Sequence, residues 1–357
     1  MNVLMIYGGK SSEHDISVVT ACLARGHFAD NLYGVYFDKN NVPYLVGNDV
    51  SPRGHNRKFR KKVVFCFGES AVALRRGPFV GRKIHIDVAV NCCHGVCGED
   101  GTVAALCSLL GVPLVGSDIG SSAVAMDKAL TKVVMRGLGL PTLSGTVVNR
   151  GNDVDLDSIK LPTVVKPCRL GSSIGVKLCR TMDELQTALD VAFTYDDKVL
   201  CEDALTDYTE LNCSAMKVQA QTRLSRVDVP VTAHDILTFE DKYLSGSKMS
   251  FAPSDKTVMD EELVSNVRQL TRQVYELLGF SGVVRVDYLL DNTDGKVYVN
   301  EINSVPGSLA YGLWQGDYGM TEYGNALIAQ AMQDYKDKSA LITDFASPVL
   351  SNGKGKK

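Results

Sequence analysis

Several features that would settle a function at once are missing from this chain. It has no basic excess: 357 residues carry a formal net charge of −3, so composition gives no reason to expect nucleic acid as a partner. No apolar run reaches the ~18 residues needed to span a bilayer. The opening MNVLMIYGGKSSEH has neither the basic segment nor the cleavage site of a secretory leader, so a cytoplasmic protein with no membrane contact is expected. Gly9-Lys10-Ser11 looks like the end of a P-loop. That pattern needs a glycine five positions before Gly9, and Leu4 stands there. No G-x-G-x-x-G follows a strand, so the dinucleotide-binding fingerprint is missing too. Internal repeats are absent, and the only low-complexity stretch is the tail at 351–357, expected to be disordered. Cysteine, by contrast, is plentiful, with 10 residues. Yet no second pair completes Cys93-His94-x-x-Cys97 as a zinc site. In a reducing cytosol these thiols are expected to be mostly buried and free.

What is present is ordinary soluble composition, 45% hydrophobic and 22% charged. At ~100–200 residues per domain the length implies two or three domains. Over 1–116, strands at 3–7, 33–37, 84–90 and 113–115 alternate with helical patterns near 16–23 and 104–110. That alternation predicts an open, mostly parallel sheet with helices on its faces. The basic run at 53–62 reads as a solvated loop, with a phosphate or acidic-partner site as the alternative. From 117 to 206 a long helix over 121–138 precedes strands at 162–168, 176–178 and 199–202, and Thr181-x-x-Glu184 is a capping box. This predicts a small α+β domain. A third α+β domain over 207–350 opens with a strand at 211–218. Leu263, Val267, Leu270, Val274 and Leu277 then recur at helical spacing up to Gly279, and an amphipathic helix is predicted over 321–335.

The stretch 283–307 carries the densest chemistry. It reads as two strands of Val, Leu, Ile and Tyr joined by the turn Asp291-Asn292-Thr293-Asp294-Gly295. Arg285, Asp287, Glu301 and Asn303 interrupt the apolar pattern. Side chains alternate along a strand, so Arg285 shares a face with Asp287, and Glu301 with Asn303. A hairpin aligning those faces gathers three oxygen donors and a guanidinium. Such donors suit a hard divalent cation completed by phosphate and water; a structural salt-bridge network is the alternative.

Two further loops carry polar groups. Gly171-Ser172-Ser173-Ile174-Gly175 lies between strands, where backbone N–H groups and hydroxyls can wrap phosphate, or where a plain hairpin turn can sit. Lys166 on the preceding apolar strand, where an unpaired ammonium is expensive, and Lys128 on the preceding helix favour the phosphate reading. His94-Gly95-Val96-Cys97-Gly98-Glu99-Asp100-Gly101 follows the third strand of the first domain and suits a ligand loop. Asp100 as a helix N-cap and His94 as a buried structural imidazole are the alternatives. Glu13 is a helix-start carboxylate or an ammonium receptor.

These motifs, in this order, resemble the D-alanine–D-alanine ligases of the ATP-grasp superfamily. The stretches that carry the resemblance are GGKSSEHDIS (8–17), HGVCGEDG (94–101), SAVAMDKALTK (122–132), VVKPCRLGSSIGV (164–176), FEDKY (239–243), RVDYLL (285–290) and NEINSVPG (300–307). The resemblance implies an ATP-grasp fold and ATP-dependent joining of two D-alanines through D-alanyl phosphate, for peptidoglycan precursors. By it, Asp287, Glu301 and Asn303 hold two Mg²⁺ ions, replaceable by Mn²⁺, and K⁺ can be required. Lys128 and Lys166 bind ATP phosphates, with Ser172 and Ser173 in the covering loop. Glu202, Leu205 and Glu210 meet adenine and ribose. Glu13 receives the first D-alanine's ammonium, with His94 nearby. Lys242 and Tyr243 come from a mobile loop, and Arg285 with the Gly307 N–H forms an oxyanion hole. A homodimer is implied as well.

Two stretches depart from the family pattern. The serine that helps bind the second substrate's carboxylate falls on Gly312, and Ser308 is the available substitute. The segment from Glu202 to Glu210 is one residue longer than usual. Tyr243 favours an amine acceptor; D-serine or D-lactate ligation is the sister reading, and a non-catalytic nucleotide binder the reading of another class.

Overall fold

A computed structural model describes residues 1–28, 31–48, 50, 61–152, 155–230 and 259–343. The first sheet has eight strands: β1 (Asn2–Gly8), β2 (Asn31–Phe37), β3 (Pro43–Gly47), β4 (Lys61–Cys66), β5 (Ala71–Arg76), β6 (Phe79–His85), β7 (Val88–Asn91) and β8 (Leu114–Val115). Their order is β6-β5-β4-β3-β2-β1-β7-β8. The pairings β2–β1–β7–β8 are parallel, as the alternation predicts. The rest is an antiparallel meander, so the sheet is mixed rather than mostly parallel. The strand expected over 84–90 is two: His85 ends β6, and β7 starts afresh at Val88 in a different pairing. Alternation reads through the corner because Ile84, Ile86 and Val88 keep period two across it. α1 (His14–Ala24) packs on β1 and α2 (Thr102–Leu110) ends at left-handed Gly111.

The helix expected over 121–138 breaks into α3 (Ile119–Met126) and α4 (Lys128–Gly137). Asp127 sits at the break in extended conformation, and its carboxylate accepts from the Leu130 N–H at 3.0 Å. An Asp that can cap is a good place to restart a helix. The second sheet, β11-β10-β12-β9, is antiparallel: β9 (Gly145–Asn149), β10 (Thr163–Pro167), β11 (Lys177–Cys179) and β12 (Lys198–Asp203). α5 (Met182–Ala192) covers it, capped by the Thr181 hydroxyl, while Glu184 reaches back to the Arg180 N–H at 2.7 Å.

The third sheet, β14-β13-β15-β16, is antiparallel: β13 (Tyr208–Val218), β14 (Gln221–Leu224), β15 (Val283–Asp291) and β16 (Val297–Asn303). α6 (Glu261–Leu277) lays Val267, Leu270 and Val274 on Cys213, Val286, Tyr288 and Ile302. A short α7 (Tyr311–Trp314) and then α8 (Met320–Ser339) follow. α8 returns to the first sheet, so Tyr323, Leu327 and Trp314 share a core with Val3, Met5 and Val90. Each large side chain buried there contributes ~1.5–3 kcal/mol. Gly116 and Gly282 meet at the junction of the first and third sheets: a Cβ on Gly282 (φ +67°) would lie 2.7 Å from the Gly116 nitrogen. Serines on both sides close that junction, Ser117 Oγ to Ser281 O at 3.1 Å and Ser281 Oγ to Gly116 O at 2.9 Å.

Candidate active site

The β15–β16 hairpin places its four polar side chains as the alternation predicts. Arg285 pairs with Asn303 and Asp287 with Glu301 across the ladder. A bulge follows, because Tyr288 pairs with Val299 and leaves Asn300 unpaired. The Arg285 guanidinium grips Asp287 with two bonds, Nε to Oδ1 at 2.7 Å and Nη2 to Oδ2 at 2.9 Å. Asn303 Nδ2 donates to Asp287 Oδ2 at 2.9 Å. With the Asn212 amide turned to satisfy its partners, its nitrogen donates to Asp287 Oδ1 at 3.0 Å.

Lys128, the first residue of α4, joins this hairpin to the Gly/Ser loop. Its Nζ lies 2.8 Å from Glu301 Oε1 and donates to the Leu170 carbonyl at 2.6 Å. Burial works against its charge, but the Glu301 carboxylate more than offsets this and raises its pKa above the usual lysine value. Asp287, Glu301 and Asn303 thus offer hard oxygens on one sheet face, with Asp287 held by Arg285 and two amides and Glu301 held by Lys128. Among the described residues no group of three or more His, Cys, Asp or Glu is arranged to hold a metal. Two carboxylates and an amide instead suit a hard divalent ion that takes its remaining ligands from phosphate and water. The residues present fit Mg²⁺.

Glu13, Ser172, His94 and Glu99 converge at the junction of the first and second sheets. The Ser172 hydroxyl donates to Glu13 Oε1 at 2.5 Å, and Glu13 Oε2 is buried without a hydrogen-bond partner. Burial raises the Glu13 pKa. Ser172 and Ser173 both adopt positive φ, 53° and 57°, which turns the loop toward Glu13. His94 Nε2 lies 2.8 Å from Thr20 Oγ1 and its Nδ1 4.0 Å from Glu99 Oε2. Burial, with the Arg285 charge second, lowers the imidazole to about 4, so it is neutral near pH 7. The Glu99 carboxylate accepts from the Gly95 N–H at 2.8 Å. Burial, reinforced by the charge of Glu13, raises it to about 8.

At the nucleotide end, the Glu202 side chain is 1% exposed and lies between two ammonium groups, Lys166 on one oxygen and Lys132 on the other. Burial favours its neutral form; the charges of Lys166 and Lys132 win and lower its pKa. Its carboxylate is therefore committed to these lysines. Lys166 also donates to Asn300 Oδ1 at 3.0 Å, a contact made available by the bulge. Leu205 lies half-buried between β12 and β13, and Glu210 on β13 opposite Leu289. Lys242 and Tyr243 lie outside the described residues, as does the tail at 351–357.

After β16 the chain turns through Gly307–Ala310, where Ser308, Leu309 and Ala310 adopt φ of 50°, 53° and 56°. Each such residue costs ~1–2 kcal/mol. The Tyr323 hydroxyl holds the turn by donating to the Leu309 carbonyl at 2.6 Å. Gly312 is buried in α7, and its carbonyl accepts from Arg226 Nη2 at 2.5 Å. Ser308 is 7% exposed.

Sequence reasoning missed Lys132, Asn300 and Asn212, and named Glu99 only as a member of the 94–101 ligand loop. Lys132 had a signal: it follows Lys128 by one helical turn, so both fall on one face. Asn300 had none, because a bulge leaves no mark in a run of strand residues.

Residues 2–117 match the family description "D-ala D-ala ligase N-terminus" and residues 134–317 match "D-ala D-ala ligase C-terminus". The chain belongs to the D-alanine–D-alanine ligase family. Among similar proteins, the D-alanine–D-alanine ligase of Thermosipho africanus is 31% identical over 356 residues, 96% of each chain. That of Campylobacter lari is 33% identical over 318 residues, 87% of this chain and 88% of the other. The crystal structure of the Helicobacter pylori ligase superposes with a TM-score of 0.77 at 26% identity, covering 93% and 98% of the two chains. VanG D-Ala:D-Ser ligase from Enterococcus faecalis shares the fold, with a TM-score of 0.78 at 23% identity over 92% and 99%. The architecture is the ATP-grasp fold of this family. No helix among the described residues is long and apolar enough to cross a membrane.

Proposed function

We propose that this protein joins two D-alanine molecules, at the expense of ATP, through a D-alanyl phosphate. The observation that carries this reading is Lys128, whose ammonium touches both the Gly/Ser loop at Leu170 and the hairpin carboxylate Glu301. That contact draws a phosphate cradle and a donor set for a hard cation into one volume. The Ser172–Glu13 bond supplies an anionic receptor beside it.

The chemistry follows from these groups. Glu13 takes the ammonium of the first D-alanine and so aims its carboxylate at the γ-phosphate. Lys128 and Lys166 hold the phosphates in line, and positioning supplies most of such a catalyst's power. Asp287, Glu301 and Asn303 would hold two Mg²⁺ ions, replaceable by Mn²⁺, which would supply positive charge against the transferring phosphoryl group. The carboxylate oxygen bonds to phosphorus and ADP leaves. The second D-alanine loses its ammonium proton to solvent water, and its free amine attacks the acyl carbon. The oxyanion forms against Arg285 and the Gly307 N–H, where each donor is worth ~3 kcal/mol of barrier. Phosphate departs with the oxygen that came from the carboxylate. His94, neutral near pH 7, brings no positive charge to the pocket where Glu13 meets the ammonium. Water must be kept from the acyl phosphate, which it would otherwise hydrolyse.

The same reading includes domain limits at 116 and 206, a K⁺ requirement, a cytosolic location and a homodimer. Its test is phosphate release from ATP with Mg²⁺ and K⁺ present. Release is expected to depend on D-alanine, and release indifferent to D-alanine overturns the reading. Product masses from D-alanine mixed with D-serine or D-lactate decide the acceptor.

A further inference from the structure

Lys132 takes no part in the chemistry above, yet it is among the most deeply buried charges in the protein. Its side chain is 5% exposed. Its ammonium lies on Glu202 Oε1, donates to Thr142 Oγ1 at 2.9 Å and to the Leu143 carbonyl at 3.3 Å. Thr142 Oγ1 in turn reaches the Val299 carbonyl at 3.3 Å. One side chain therefore ties α4, the 140–143 link, β12 and β16 together. A charge is not buried this way cheaply; ions taken from water cost several kcal/mol apiece unless paired.

The arrangement has an electrostatic consequence for its neighbour. Glu202 presents one oxygen to Lys132 and the other to Lys166. One carboxylate between two ammonium groups leaves the trio with one positive charge in surplus. Lys132 is sealed behind Glu202, while Lys166, more exposed at 13%, also reaches Asn300 beside the hairpin. The surplus is therefore expressed at Lys166. Without Lys132, Glu202 and Lys166 would form a closed neutral pair with nothing left for an anion.

We propose that Lys132 is a positioning residue for the nucleotide: by sharing the Glu202 carboxylate with Lys166 it leaves the trio a net positive charge, presented at Lys166, for a phosphate oxygen. This rests on the reading of Lys166 as a phosphate ligand. The charged and polar groups around Lys132 are Glu202, Lys166, Arg136, Thr142 and the Leu143 carbonyl. Burial, assisted by the Lys166 and Arg136 charges, holds its pKa below the usual lysine value despite Glu202. Raising the pH thus removes the Lys132 proton before that of an ordinary lysine, and phosphate affinity falls with it.

The test uses the full chain and ATP binding by equilibrium dialysis without D-alanine, then steady-state kinetics. Lys132→Met is expected to weaken ATP binding between about tenfold and a hundredfold, the loss of a charge-assisted contact, and to leave the KM for D-alanine within about twofold. Lys132→Arg, charged at all pH values used, is expected to restore affinity and to lack the decline expected of the wild type as pH rises from 7 to 10. Unchanged ATP affinity in Lys132→Met overturns the proposal, as does an equal rise in both KM values. If Lys132→Met does not fold, the two pH profiles decide: coincident curves for wild type and Lys132→Arg overturn it. Wild-type protein that binds ATP but does not turn over D-alanine contradicts the ligase reading alone.

Discussion

The Ser172 hydroxyl donates to Glu13 Oε1 at 2.5 Å, across 159 positions of sequence. This bond joins the Gly/Ser loop of the second sheet to the first turn after β1, and so closes the anionic end of the site. Ser172→Ala removes the donor and leaves a buried carboxylate with neither oxygen paired by a side chain. We expect the KM for the first D-alanine to rise about tenfold, in line with 1–2 kcal/mol for a lost bond to a charged group, with ATP affinity little changed. Initial rates against D-alanine at saturating ATP measure it.

Glu301 faces both Lys128 and Asp287. Glu301→Gln keeps the shape and removes the charge that Lys128 and a divalent ion share. Turnover is expected to fall by at least about 10³-fold, on the order of 4 kcal/mol of transition-state stabilisation. The thermal midpoint should move by no more than a few degrees. Activity within tenfold of the wild type would remove Glu301 from the metal set.

Buried His94 gives the protein a specific acid sensitivity. Its pKa is lowered to about 4 from the ordinary histidine range near 6.5, by burial first and the Arg285 charge second. Between those two pH values the unfolded chain binds the proton and the folded chain does not. Its contribution to stability is therefore complete above pH 6.5 and is lost as pH falls toward 4. Urea midpoints measured from pH 7.5 to 4.5 should decline, and His94→Asn should decline less steeply over that window.

Gly282 and Gly116 touch where the first and third sheets meet. Gly282→Ala adds a Cβ 2.7 Å from the Gly116 nitrogen, at φ +67°. Neither backbone can yield as a flexible side chain would. A loss of about 2–3 kcal/mol is expected, seen as a lower urea midpoint with an unchanged slope. Gly295, at φ +74° with open space around it, should lose far less on the same substitution.

Legibility in the sequence followed how local the cause was. The hairpin was readable because period-two alternation fixes faces, and Arg285–Asn303 and Asp287–Glu301 do stand opposite. Lys166 was readable as a residue in need of a partner, because an ammonium on an apolar strand is expensive unpaired; that Glu202 from β12 supplies it was not, since the contact spans 36 positions. The break at Asp127 was hidden because α3 and α4 share a continuous apolar pattern. The antiparallel meander of β3 to β6 was hidden because strand direction is set by pairing, which single-strand patterns do not encode. The left-handed run Ser308-Leu309-Ala310 was hidden for a different reason: none of the three is a glycine, and only tertiary contacts such as the Tyr323 bond hold them there.

The central claim is that a D-alanine carboxylate is activated as an acyl phosphate before the amide forms. D-Alanine labelled with ¹⁸O in its carboxylate tests it directly. The account predicts inorganic phosphate carrying one ¹⁸O for every D-alanyl-D-alanine formed, both read by mass spectrometry. Unlabelled phosphate released together with dipeptide would contradict it.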